Sequence, residues 1–294
     1  MQTQSKINSW ILASRPKTLL AAVVPVIVGA SLAYSQSKFI LLNSFIALFC
    51  SLLIQIGTNF VNDLFDHLKG SDNEDRKGPQ RVLAAGLITE KEMRFGIILV
   101  FALAFFAGLY LVYVGGIIVL LIGIFSIAAG IAYTAGPYPL AYNGLGDIFV
   151  FIFFGIVATA GTNFVNTFEF NLLSILVSIP AGALITNILL VNNFRDFNED
   201  KAANKKTTTV IFGRKFTQLQ YIFLIIISYL IPIFLWMNFN YSFIILLPFL
   251  SIPLAIYLIY MLLHLEGEAL NKTLELSAKF AGLFSLLFSF GLLL

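Results

Sequence analysis

Charge, histidine and cysteine are all scarce in this 294-residue chain: 11% of residues are charged, with two His and one Cys. A soluble domain is about one-quarter charged, so the shortage excludes an ordinary globular protein in water. Cys50 stands alone in an apolar run, which excludes a disulfide within the chain; it reads as a small buried hydrophobe. His67 and His264 supply no pair with zinc-ligand spacing. The net charge of +3 comes without a basic face interleaved with aromatics, which argues against nucleic acid as a partner.

What fills the chain is hydrocarbon: 59% hydrophobic residues and a mean hydropathy of +0.91. Crossing roughly 30 Å of bilayer takes about 20 apolar residues. Such runs fall near 18–35, 40–62, 95–114, 116–134, 147–165, 171–192, 217–238, 243–262 and 276–294. The reading is an all-α integral membrane protein, nine transmembrane helices in one bundle, with residues 1–294 forming a single domain because no linker or composition break divides them. The first run has some features of a signal peptide, with Arg15 and Lys17 before it, but Ser31-Leu32-Ala33 is a poor cleavage site.

Cytoplasmic loops collect Lys and Arg. With the amino terminus inside, nine spans place 16 of the 18 basic residues on the cytoplasmic side, leaving Lys38 outside and Lys279 within the last span. The second and sixth helices then end on that same side, and each ends in acids and amides. Asn59, Asn62, Asp63 and Asp66 close the first of these; Asn192, Asn193, Asp196 and Asp200 close the other.

A carboxylate at the centre of a membrane helix costs about 2.5 to 3.5 kcal/mol even on a lenient insertion scale, so two groups of them call for a reason. At 100° per residue each set falls within an arc of about 100°. Carboxylate and amide oxygens favour a hard cation, and Mg²⁺ commonly takes one or two carboxylates with phosphate oxygens completing its shell. Two such faces suit a diphosphate held between them through Mg²⁺, with Lys69, Arg76, Lys77, Arg81, Lys201, Lys205 and Lys206 contacting the same anion. The simpler alternative is a pair of hydrated helix ends; two sets of the same kind on one side weigh against it. Glu74, Asp75, Glu90, Glu92 and Glu199 read as solvated charges, and Asp147 serves equally well as a helix cap or a ligand.

The run NDLFDHLKGSDNEDRKGPQR from Asn62 to Arg81 resembles the first Asp-rich motif of the UbiA superfamily of intramembrane prenyltransferases, and NNFRDFNED from Asn192 to Asp200 resembles the second. SRPKTLLAAVVPVIVG at Ser14–Gly29 and YTAGPYPLAYNGLGD at Tyr133–Asp147 are similar to the 1,4-dihydroxy-2-naphthoate polyprenyltransferases of menaquinone synthesis. Many 4-hydroxybenzoate enzymes carry another Asp four residues after the position of Asp66. Here Gly70 stands there and the acid arrives at Asp72, the Gly-x-Asp pattern of the naphthoate group.

The resemblance implies Mg²⁺ bound by Asn62, Asp63, Asp66, Asp72, Asn193, Asp196 and Asp200, with Asn192 beside them. It implies a part for Tyr133 in catalysis with Asp66 and Asp196, and a part for Arg15 in substrate binding. The implied partners are a polyprenyl diphosphate, 1,4-dihydroxy-2-naphthoate and the lipid bilayer. The implied setting is the cytoplasmic (inner) membrane, with the site open to the cytosol. Two rivals remain at this point: another aromatic acceptor, such as 4-hydroxybenzoate or homogentisate, and a divalent-cation transporter. The last three spans carry hydropathy alone, and His67, His264, Glu266 and Glu268 receive no role.

Overall fold

The computed structural model describes residues 5–70 and 81–294. Asp72, Arg76 and Lys77 lie outside the described residues. Every regular element among those described is helical, and the single β-bridge pairs Asn143 with Lys206.

A short helix α1 (Lys6–Ser14) opens the chain, capped by the Ser5 hydroxyl, which accepts from the Asn8 N–H. It stops at Arg15, whose left-handed backbone (φ 51°) turns the chain into α2 (Pro16–Ser35). Proline in the first helical position suits that start, because its missing N–H has no helical partner there in any case. Next come α3 (Leu41–Leu68) and α4 (Glu90–Ala132), the latter begun by a reciprocal capping box between Thr89 and Glu92. After it follow α5 (Gly146–Thr167), α6 (Leu172–Arg195), the short α7 (Phe197–Ala202) and α8 (Thr208–Phe212), then α9 (Arg214–Asn238), α10 (Phe243–His264) and α11 (Gly267–Leu293).

Eight helices among the described residues are long and apolar enough to cross a bilayer: α2, α3, α4, α5, α6, α9, α10 and α11. Nine runs were expected, and the difference lies in α4. Its 43 residues would reach about 64 Å if straight, twice the hydrocarbon thickness. They are not straight. Gly116 sits at φ 71°, ψ −158°, outside helical geometry and in a region essentially reserved for glycine. The two limbs meet again: a Cβ on Gly130 would stand 3.8 Å from the Phe101 ring and 2.4 Å from Thr58 Oγ1. Ile97, Phe101 and Ile127 share one apolar cluster with Val61 on α3. The runs 95–114 and 116–134 are thus the limbs of a helical hairpin.

Lipid is as apolar as leucine, so helices in a membrane associate through close packing and hydrogen bonds. Gly155 and Gly182 show the first: a Cβ on Gly155 would come within 2.9 Å of the Gly182 Cα, so α5 and α6 touch backbone to backbone. Around that contact α5 is wound as a π-helix over Phe151–Ala160. Phe280, Phe284 and Phe288, one helical turn apart on α11, are buried in a core with Leu184 and Leu190 of α6, Tyr221 and Leu235 of α9, and Leu258 of α10. Hydrogen bonds tie the end of the bundle opposite Asp66. There Asn166 Oδ1 accepts from the Ile40 N–H at 2.7 Å, and Tyr110 donates to Asn43 at 2.9 Å.

Candidate active site

The last two turns of α3 sort the first acidic group by direction. Asn62 and Asp66, four residues apart and hence on one face, border a large cavity. Asp66 accepts from Arg81 at 3.0 Å on Oδ2 and from the Tyr142 hydroxyl at 2.9 Å on Oδ1. Asn62 accepts from the Thr134 hydroxyl at 2.8 Å. Asp63 and Asn59, each 2% exposed, are buried but do not border the cavity. Asn59 instead donates to the Ser14 carbonyl at 2.9 Å and to Thr18 Oγ1 at 3.0 Å. It thereby pins the corner between α1 and α2 that brings Arg15 to the cavity wall.

The second group forms where α6 gives way to α7. Arg195, 1% exposed, donates through Nε and a terminal nitrogen to the two oxygens of Asp196 at 2.6 and 2.7 Å, and reaches Asn192 and Asn271 at 2.8 Å each. In the sequence, the clue to this part of Arg195 is its place between an amide and a carboxylate in NNFRD. Asp200 pairs with Lys205 through Oδ1 at 3.1 Å, while its buried Oδ2 has no hydrogen-bond partner among the described residues. Burial pushes the Asp200 carboxyl up to about 6, against the pull of Lys205, with Asp196 and Asp66 adding to the rise. Burial alone would lower the Lys205 ammonium, but Asp200, Asp66 and Asp196 together hold it above its ordinary value. Lys205 therefore feels acids from both motifs.

Loops close the gap between the motifs. The Lys206 N–H donates to the Tyr142 carbonyl at 3.1 Å, fastening the segment after α4 to the one after α7. Tyr142 then lies under Lys69, whose ammonium is 4.1 Å from the ring centroid, and Lys69 donates to the Thr134 carbonyl at 2.6 Å. Partial desolvation by its neighbours lowers the Lys69 ammonium from its ordinary value, against the pull of Asp66.

The cavity measures about 1010 Å³. Of the residues expected from sequence, Arg15, Asn62, Asp66, Arg81, Tyr133, Asn192, Asn193, Asp196, Asp200 and Lys205 border it. Lys69 and Lys201 do not, and both are exposed. Beyond the polar end the wall is apolar, with Leu120, Ile124, Phe149, Phe153 and Val157 among its residues. The donor set at the polar end is oxygen alone, suited to Mg²⁺. The unpartnered Asp200 Oδ2 is the kind of buried atom that a cation satisfies. Among the described residues no three Asp, Glu, His or Cys side chains group closely enough to hold a metal unaided. A cation here draws further oxygens from the amides or from a bound anion.

A largely apolar cavity with acids, amides and basic side chains on part of its wall, inside a bundle of helices able to cross a membrane, defines this as an integral membrane protein with an internal site. Residues 22–285 match the UbiA prenyltransferase family, and the chain belongs to it. It is 33% identical to the 1,4-dihydroxy-2-naphthoate octaprenyltransferase of Haemophilus influenzae over 98% of this chain and 97% of that one. It is 38% identical to the Escherichia coli protein of the same name over 72% and 71% of the two chains. The fold is that of a UbiA homologue from Archaeoglobus fulgidus solved with DMAPP and Mg²⁺, with a TM-score of 0.69 and 17% identity over 96% of this chain and 99% of that one. Family membership sets the cation-transporter reading aside.

Proposed function

We propose that the chain transfers a polyprenyl group from an allylic diphosphate to 1,4-dihydroxy-2-naphthoate, with loss of CO₂ and diphosphate, giving demethylmenaquinone. The observation that carries this is that Asp66, Asp196 and Asp200, from motifs more than a hundred residues apart, border one cavity whose wall is largely apolar. The acceptor is proposed from the relatives that bear its name and match this chain at 33 and 38% identity.

Asn62, Asp66, Asn193, Asp196 and Asp200 hold Mg²⁺ in this reading, together with Asp72. When bound, the ion neutralises charge that grows on the diphosphate oxygens as the allylic C–O bond breaks. Asp63 does not border the cavity and is left out of the set. Arg81 and Lys205 bind the same head group, and Arg15 approaches it from the α1–α2 corner. Such preplaced cations stabilise a leaving group without reorganising as it departs. The apolar wall takes the prenyl tail and keeps water from the cation left behind. Tyr133, on the cavity wall, presents its ring and hydroxyl beside the reacting carbon in this reading.

The orientation proposed is nine membrane crossings, counting both limbs of α4, with a cytoplasmic amino terminus and the polar end open to the cytosol from the inner membrane. The arginine and lysine distribution supports it. Purified protein supplied with labelled polyprenyl diphosphate, Mg²⁺ and an equimolar mixture of dihydroxynaphthoate, 4-hydroxybenzoate and homogentisate tests the function. Decarboxylated prenyl naphthoquinol is the expected major product. A dominant prenyl hydroxybenzoate would overturn the acceptor assignment, and absence of every prenylated product would overturn the whole reading.

A further inference from the structure

Two carboxylates on the cavity wall belong to neither acidic motif: Glu275 of α11, which pairs with Lys279 at 2.7 Å, and Asp147. Asp147 lies in the first turn of α5, 4% exposed, and borders the cavity. Its Oδ2 accepts from the Thr208 hydroxyl of α8 and from Gln220 Nε2 of α9 at 3.2 Å. Among the described residues its Oδ1 accepts nothing. Two elements, α8 and α9, thus hold one oxygen, while the other takes no hydrogen bond from the described residues. The remaining acids differ in kind: Asp66, Asp196 and Asp200 each face a cation, Arg81, Arg195 and Lys205, whereas no Lys or Arg among the described residues pairs with Asp147.

The space next to Asp147 is shaped as well. Its neighbour Gly146 has no side chain, and a Cβ there would stand 3.3 Å from the Tyr133 hydroxyl and 3.6 Å from Leu189. Glycine at that position lets the Tyr133 hydroxyl pack closely against the backbone beside Asp147. Tyr133 and Asp147 border the same cavity as Asp66 and Asp200, where the diphosphate is proposed to sit.

We propose that Asp147 is the catalytic residue of the acceptor subsite: its Oδ1 accepts a hydrogen bond from a ring hydroxyl of a phenolic acceptor and takes that proton as the ring attacks. This rests on the prenyl transfer proposed above. In the step, a ring π pair forms the new C–C bond to the allylic carbon, and the allylic C–O bond has given its pair to diphosphate. The hydroxyl O–H bond breaks, its proton going to Asp147 and its pair forming a ring C=O. With that hydroxyl ortho to the carboxylate, the product is a β-keto carboxylate. Its C–CO₂ bond then breaks, the released pair restores the aromatic ring, and the oxygen recovers its proton from Asp147. Protons and electrons balance with no further reactant.

The test uses the full chain in lipid nanodiscs. Asp147→Asn keeps the size and the hydrogen bond from Thr208 but removes the base. General acid–base groups contribute about 10²- to 10⁴-fold, and kcat for dihydroxynaphthoate is expected to fall by that order. Binding of labelled polyprenyl diphosphate with Mg²⁺ is expected to stay within about twofold, because general-base assistance acts on the transfer step rather than on binding of the diphosphate. Transfer at the wild-type rate overturns the proposal, as does a loss of diphosphate-substrate binding parallel to the loss of transfer. Should that variant not accumulate, Thr208→Val carries the test: kcat for the acceptor falls with diphosphate-substrate binding kept, and an unchanged kcat overturns the proposal. A wild-type chain inert toward dihydroxynaphthoate overturns the function proposed above and this assignment with it. An active wild type with an equally active Asp147→Asn overturns only the assignment.

Discussion

Asp66 and Asp196 show how a carboxylate near hydrocarbon is paired. Each has an arginine partner, Arg81 at 3.0 Å and Arg195 at 2.6 Å, and Asp66 also accepts from Tyr142. A carboxylate oxygen has two lone pairs, so accepting from an arginine leaves room for a further partner. Asp66→Ala and Asp196→Ala should each abolish prenyl transfer while the protein still fractionates with membranes and elutes as a monodisperse species. Near-normal product from either variant contradicts the proposed ion site. Removing the arginine instead leaves a buried charge alone, a change that typically costs about 3 to 5 kcal/mol. Arg195→Met should accordingly lower the thermal unfolding midpoint in detergent well beyond Lys201→Met, whose lysine is exposed. Equal midpoints would mean that Asp196 has found another partner.

Among the helices, α4 and α5 carry the geometry that spacing alone does not reveal. Gly116 turns α4 back on itself with a backbone conformation that a side chain disfavours. Gly116→Ala should cost about 1 to 3 kcal/mol, read as a drop in unfolding free energy. Gly123→Ala, on a limb with open space around it and ordinary helical backbone, should be neutral or slightly stabilising by the same measurement, because alanine is the better helix former. The packing of α2 on α5 is as exacting. A Cβ on Gly29 would lie 2.3 Å from the Thr159 carbonyl oxygen, so Gly29→Ala must force the two helices apart, and both border the cavity.

For the molecule in its membrane, the number of crossings between two loops decides which side each loop faces. Lys38, between α2 and α3, and Lys201, in α7, are separated by five crossings if α4 is a hairpin and by four if it is one helix. In a Cys50→Ser background, a cysteine at position 38 should react with an impermeant maleimide from outside intact cells. One at position 201 should react only after the cells are opened. Reaction of both from the same side would refute the nine-crossing arrangement. The same bundle places one of the last three helices, which hydropathy alone described, against the site: Asn271, Glu275 and Lys279 of α11 border the cavity, and Asn271 accepts from Arg195.

The helices, the basic loops and the two acidic helix ends were legible in the sequence because each reflects a local property. Apolar length, charge partition and 100° spacing all depend on a few neighbouring residues. Spacing placed Asn59, Asn62, Asp63 and Asp66 within one arc, but an arc of about 100° is wide enough to face two different neighbours. Only the packing of α1, α2 and the loop after α4 around it divided Asn62 and Asp66, which border the cavity, from Asn59, which holds the corner at Ser14, and the buried Asp63. The part of Arg195 and the choice between cap and ligand at Asp147 stayed open for the same reason: they turn on Asp196 with Asn271, and on Thr208 with Gln220. Which distant partner meets a buried polar group is settled by how the helices pack, because a desolvated charge takes the partner that the folded chain brings within reach, whatever its distance along the sequence.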